Sequence, residues 1–285
     1  MIDIDTIDWN EAWKEVDRRK RADDALANCT DRWNDPERCR KFNQRIQDEN
    51  WKHSWDRIHA MQVTSGSRVL DIGAGPGTLA VPLSGIVRHV TAVEPSPGML
   101  ECLHGHIQER QIRNITTVQK KWEDIDPDSD LKAPYDVVVA SYSLGVPDLR
   151  DALEKIDLVS SKYAYIFWFA DMMSPRLQNY LEIWEDLFGK PPLPRYSSNI
   201  IFNLLTQMGI YANVEVTRTD HTTRFSSVED AVSSQRNELD LKDDRQVSVL
   251  RAYLEKTLIH DNGDYILKRQ SYQAKIWWDK EIQPA

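Results

Sequence analysis

The chain of 285 residues is long enough for one large domain, or a domain with a smaller cap, and for a sizeable buried core. Its apolar fraction of 41% is ordinary for a soluble globular protein, and no run reaches the length of a membrane span. A net charge of −9 argues against a protein that neutralises many phosphates, and so against nucleic acid as its partner. Cys29, Cys39 and Cys102 are too few and too scattered for a disulfide framework or a zinc site, so no metal is expected. Ten tryptophans stand out, and they suit either packing or an aromatic-lined pocket. The N-terminus, "MIDIDTIDWNEAWKEVDRRK", has none of the blocks of a signal peptide, which leads us to expect a cytoplasmic protein.

Residues 1–64 read as a charged helical cap. "IDWNEAWKEVDRRKRADDAL" and "PERCRKFNQRIQDENWKHSWDRIHAM" carry aromatic and apolar residues at helical spacing, and Pro36 suits the first turn of a helix. From residue 65 the texture changes to short β-rich runs alternating with helical patterns. The runs are "RVLDIG", "HVTAVEP", "ITTVQK", "YDVVVASY" and "YAYIFWFA", and their order argues for a parallel sheet with helices on both faces. Beyond Ala170, "RLQNYLEIWEDLFG" and "SSNIIFNLLTQMG" read as helices around the breaker "KPPLPRY". "YANVEVTRT" reads as a strand, "SVEDAVSSQRNEL" and "DDRQVSVLRAYLEKTL" as helices, and "SYQAKIWWDK" as the last strand. The expected fold is therefore α/β, a doubly wound, mostly parallel sheet of seven strands over residues 65–285. Helical insertions at 171–210 and 220–265 precede and separate the last two strands.

The stretch "RVLDIGAGPGTLAVPL" places Gly73, Gly75 and Gly77 directly after a strand that carries a lone acid, Asp71. Glycines at a strand-to-helix turn let the backbone bend tightly and let a ligand approach it, at the strand ends where open α/β sheets bind small molecules. A dinucleotide fingerprint would need its third glycine at Thr78, and a P-loop would need a lysine that is absent. Glu94 ends the second strand about twenty residues after Gly73, the distance at which an acid meets a ribose.

These residues resemble the cofactor-binding half of class I S-adenosylmethionine-dependent methyltransferases, from about Val69 to Phe169 and more loosely to the final strand. The D-x-G-x-G-x-G run, the acid ending the next strand and "PSPGM" after it carry the likeness in combination. The resemblance implies S-adenosylmethionine as cofactor, with S-adenosylhomocysteine as product. Asp71 and the backbone of Gly73, Ala74, Gly75 and Gly77 would hold its methionine portion, and Glu94 its ribose. Pro95, Ser96 and Met99 would border the adenine. Trp122 would pack near it, where relatives often have an alanine, leaving open whether Glu123 or Asp124 caps the ring. Ala140, Ser141, Tyr142 and Ser143 would lie beneath the transferred methyl group.

Methyl transfer from a sulfonium is an in-line displacement that mainly needs alignment, exclusion of water and sometimes a base. Candidates for catalytic groups are His53, Tyr142 and Asp171, and Trp33, Trp51, Trp55, Trp168 and Tyr196 could line an acceptor site. The absence of an N/D-P-P-Y-type tetrad after the fourth strand counts against methylation of amino groups on bases or glutamine. The leading expectation is a small-molecule acceptor. An RNA or protein methyltransferase, or a silent cofactor-binding protein, stands as the alternative, and the oligomeric state stays open.

Overall fold

The computed structural model describes residues 7–21, 31–171, 178–192 and 198–283. Three helices come first: α1 (Trp9–Arg21), α2 (Pro36–Asp48) and α3 (Lys52–His59), with a 3₁₀ turn at Asp31–Asn34 before α2. Pro36 occupies the first turn of α2 behind Asp35, whose carboxylate accepts the Glu37 N–H at 2.9 Å. The alternating region follows: β1 (Arg68–Ile72), α4 (Ala80–Ser84), β2 (His89–Val93), α5 (Pro97–Glu109) and β3 (Ile115–Val118). After a 3₁₀ turn at Trp122–Asp124 come α6 (Pro127–Asp130), β4 (Tyr135–Ser141), α7 (Leu149–Val159) and β5 (Ser160–Phe169).

The remainder holds α8 (Trp184–Phe188), α9 (Ser198–Gln207), β6 (Asn213–Phe225), α10 (Val228–Leu239), α11 (Asp244–Thr257), β7 (Ile259–Asp261) and β8 (Asp264–Asp279). The helix expected from "RLQNYLEIWEDLFG" is broken. Its described part is a 3₁₀ turn at Leu181–Ile183 and the five-residue α8, stopped by Gly189 at φ 68°.

The sheet has the order β3-β2-β1-β4-β5-β8-β6, and β7 pairs with β8 to make eight strands instead of the expected seven. The extra strand comes from an antiparallel hairpin around Asn262-Gly263, both at positive φ. Asn-Gly between two apolar runs is a strong hairpin signal. β3, β2, β1, β4 and β5 pair with one another in parallel, with Asp71 registered against Ala92 on one side and Val139 on the other. Because β1 lies between parallel strands with helices on both sides, its residues from Val69 to Ile72 are all buried. Val69, Val90, Val137 and Val139 share a core with Leu83, Leu100, Leu103, Ile46 and Ile58. Residues alternate along a strand, so Leu70, Val138 and Ala140 face the opposite layer.

The chain separates into two compact units, residues 1–168, 198–215 and 274–285 in the first and residues 169–197 and 216–273 in the second. Residues 1–64 form no unit of their own, and 198–215 group with the first unit: α2 packs on α5, α3 on α4, and α1 on α7 and α9. The second unit has its own core of Tyr180, Leu187, Phe225, Leu239, Leu250, Leu254 and Leu267. Among the described residues, no helix is long and apolar enough to cross a membrane.

Candidate active site

The carboxyl ends of β1, β2 and β4 lie side by side in the first unit, and three loops leave them. The loop after β1 is held to β2 by its own backbone: the N–H groups of Gly73 and Ala74 donate to the Val93 carbonyl at 2.7 and 3.0 Å. Gly73, Gly75 and Gly77 all have positive φ, 68°, 58° and 88°, which only glycine adopts at little cost. Their missing side chains serve different ends. A Cβ on Gly73 would lie 2.3 Å from Ser143 Cβ, and one on Gly77 would lie 2.6 Å from Leu103 Cδ1 and Val81 Cγ2. A Cβ on Gly75 would meet only Thr78 Oγ1, at 3.9 Å. The expectation that the glycines alike make room for a ligand is thus corrected. Neighbouring side chains fill the space at Gly73 and Gly77, and only Gly75 faces open space.

Gly75→Ala should therefore cost the fold roughly 1–2 kcal/mol, the penalty of a left-handed residue, whereas Gly73→Ala should cost about 2–4 kcal/mol because overlap is added. Urea denaturation of the two variants checks this. Equal midpoints would contradict the assignment of the space at Gly73 to Ser143.

Glu94 joins the first loop to the second. Its carboxylate accepts the Gly75 N–H at 2.8 Å through Oε2 and the Ser96 N–H at 2.8 Å through Oε1. The side chain belongs to a residue only 6% exposed. Burial pushes its pKa up, and the two N–H groups pull it part of the way back. Ser96 in turn caps α5, accepting the Met99 N–H at 3.2 Å, while its hydroxyl donates to the Trp33 carbonyl at 2.5 Å. The Cys39 thiol donates to that same carbonyl at 3.2 Å. Met99 is buried and Pro95 partly buried.

Asp71 is 1% exposed, and its Oδ2 is buried without a hydrogen-bond partner. Burial pushes the carboxyl up to about 7, against the pull of the Ala80 N–H and the Arg57 charge. Arg57 reaches in from α3. Its Nη1 donates to Ser141 Oγ at 2.8 Å, its Nε donates to the His53 carbonyl at 3.0 Å, and its guanidinium lies 5.7 Å from the Tyr142 ring centroid. Tyr142 stands in the left-handed region at φ 57°, and burial pushes its phenol up to about 12. The Ser143 hydroxyl donates to the Ile72 carbonyl, so the loop after β4 is tied to β1 as well.

Sequence reasoning overlooked Arg57. The signal was its place in "HSWDRIHAM", directly beside the stripe of Ser54, Ile58 and Met61 that turns inward. The other candidates scatter. His53 is exposed, with Nδ1 3.6 Å from Asp56. Asp171 belongs to the second unit, where its carboxylate accepts the Tyr272 N–H at 3.0 Å. Trp122 is buried, but its indole N–H donates to the Ala152 carbonyl of α7 at 3.1 Å, and Lys155 holds the Glu123 carbonyl at 2.8 Å. Ala140 is buried at the end of β4.

The tryptophans from the N-terminal region mostly pack: Trp33 on Phe42, Trp51 edge-on to His106, and Trp55 on His59. Trp168 lies 6.3 Å from fully buried Trp13. Tyr196 and Cys29 lie outside the described residues.

A model of the methyltransferase-domain family matches residues 69–162, the span that carries all three loops. The chain belongs to the class I S-adenosylmethionine-dependent methyltransferases. An uncharacterized protein of Haemophilus influenzae is 31% identical over 225 residues, 78% of this chain and 80% of that one. Among solved structures, YcgJ of Bacillus subtilis is similar with a TM-score of 0.56 at 16% identity, covering 80% of this chain and 98% of that one. A protein of Bacillus halodurans C-125 is similar with the same TM-score, 0.56, at 12% identity and the same coverage, 80% and 98%. These two likenesses concern the fold. The methyltransferase takes S-adenosylmethionine as its cofactor, and the site has the features the cofactor needs: an unpartnered buried acceptor at Asp71 and open space over Gly75.

Proposed function

We propose that the methyltransferase delivers its methyl group to a small-molecule acceptor. The observation that carries this reading is the seating of the N-terminal helices on the loops around the site. The Trp13 indole of α1 donates to the Val146 carbonyl at 2.7 Å, Ser96 bonds the Trp33 carbonyl ahead of α2, and Arg57 of α3 bonds Ser141. A site rimmed in this way suits a compact acceptor better than a polymer laid across it. The formal charge of −9 supports the same choice, since a nucleic-acid substrate would call for a basic surface.

In this reading Asp71 takes the cofactor's ammonium on Oδ2. Glu94 accepts the ribose hydroxyls on the lone pairs that Gly75 and Ser96 leave free. Gly73, Ala74, Gly75 and Gly77 shape the loop beneath the methionine portion. Pro95, Ser96 and Met99 border the adenine, while Trp122 and Glu123 support that side from behind. The cofactor, when bound, supplies a methyl group already activated by its sulfonium. Ala140, Ser141 and Tyr142 form the floor under it, and Tyr142, protonated at neutral pH, serves as a wall and donor and not as a base.

The test is transfer of label from methyl-labelled S-adenosylmethionine to the fractions of a cell extract. Label is expected in the low-molecular-mass filtrate. Label recovered in RNA or in protein instead would overturn the reading.

A further inference from the structure

Two ionisable side chains in the first unit, buried Asp71 and half-buried Arg57, lack an ion-pair partner among the described residues. Asp71 has a buried oxygen with no hydrogen-bond donor. Arg57 has no carboxylate within ion-pair reach among the described residues, and its guanidinium is held by a serine hydroxyl, a backbone carbonyl and an aromatic ring. Burial lowers the Arg57 pKa, while the fields of Tyr142 and Asp71 raise it. Charged groups in such surroundings are ordinarily paired, because an isolated buried ion is costly. The two do not satisfy each other. Asp71 acts on Arg57 through its field, with no direct bond between them.

The pair is the complement of a zwitterion. An α-amino acid carries an ammonium and a carboxylate on one carbon, and these would meet Asp71 Oδ2 and the Arg57 guanidinium. The carboxylate would then occupy the donors that Ser141 and the His53 carbonyl leave free, since a guanidinium offers five N–H groups and those two contacts use two. We infer that Arg57 is the residue that holds the carboxylate of the cofactor's methionine portion. The inference rests on the reading that places the cofactor over the glycine loop with its ammonium on Asp71. It assigns to α3, outside the 69–162 span of the family match, half of the recognition of the amino-acid end.

The test compares S-adenosylhomocysteine with its decarboxylated analogue, which keeps the amine and lacks only the carboxylate. The wild-type protein should prefer S-adenosylhomocysteine by about 10- to 100-fold, the range for a charge-assisted hydrogen-bonded pair. Arg57→Met, which keeps most of the stem, should lose that preference while binding the analogue as well as wild type or better, because a cation near the amine has gone. Arg57→Lys should recover part of the preference, since a point charge replaces the fork. Persistence of the preference in Arg57→Met would overturn the assignment. So would equal loss of both ligands in Arg57→Met and Arg57→Lys, which would mean that Arg57 only props the loop after β4. Wild-type protein that bound neither compound would bring down the placement of the cofactor, and this assignment with it.

Discussion

Asp71→Asn should stabilise the cofactor-free methyltransferase at pH 8 and all but abolish its cofactor binding. Burial raises the native carboxyl to about 7, whereas in the unfolded chain it ionises near ~4. Between those values the native state holds a proton that the unfolded state has released, so stability falls as pH rises from about 4 to 7 and is flat above. The difference between those two values corresponds to about 4 kcal/mol, and relaxation around the charge makes about 2–4 kcal/mol the expected difference at pH 8. Asparagine has the same shape and no charge. Denaturation of both proteins at pH 4.5 and pH 8 should show a gap that opens with pH, and a constant gap would refute it.

Binding should run the other way. Pairing with an ammonium needs the carboxylate, so wild-type affinity should fall by up to about tenfold per pH unit below 7, and the asparagine variant should bind weakly at every pH. A residue that destabilises the empty protein and is needed by the filled one is the pattern of a functional site.

Glu94→Ala should be the more damaging change to the fold. The carboxylate that is expected to meet the ribose is also a strut: it holds the Gly75 and Ser96 N–H groups, one in each of two loops. Removal leaves two largely buried donors unsatisfied, at about 1–3 kcal/mol each, and we expect about 2–4 kcal/mol of lost stability after water enters. Cofactor affinity should fall at least tenfold in calorimetric titration of protein that is still folded. A stability within about 1 kcal/mol of wild type would show that the strut is dispensable.

Much of this site was legible because its signals are local. The glycine run follows a strand directly, Glu94 ends the next strand, and Ser96-Pro97 opens a helix, each readable within a few residues. What escaped depends on distance along the chain. Arg57 meets Ser141 across 84 positions, and Trp13 meets Val146 across 133, so no window of sequence contains either pair. The different duties of the glycines were hidden for the same reason, since Ser143 and Leu103 decide two of them. The extra strand β7 was the exception. Asn262-Gly263 marks its turn locally, but the strand itself spans only the three residues Ile259–Asp261, directly after a long helix.

The hydroxyl of Ser96 reaches outward to the Trp33 carbonyl while its oxygen caps α5. The family-model match begins at residue 69, but the cap, the rim and the half-buried Arg57 draw on residues before it. The portion of the chain that looks like other methyltransferases is for this reason not self-contained. Cut out alone, it would bare the Val146 carbonyl, empty the surface at Gly98 where Cys39 Sγ now sits 3.1 Å from a would-be Cβ, and leave Ser141 without its donor. Residues 69–162 and the first 64 residues belong to one compact unit and have to be expressed and engineered as one piece.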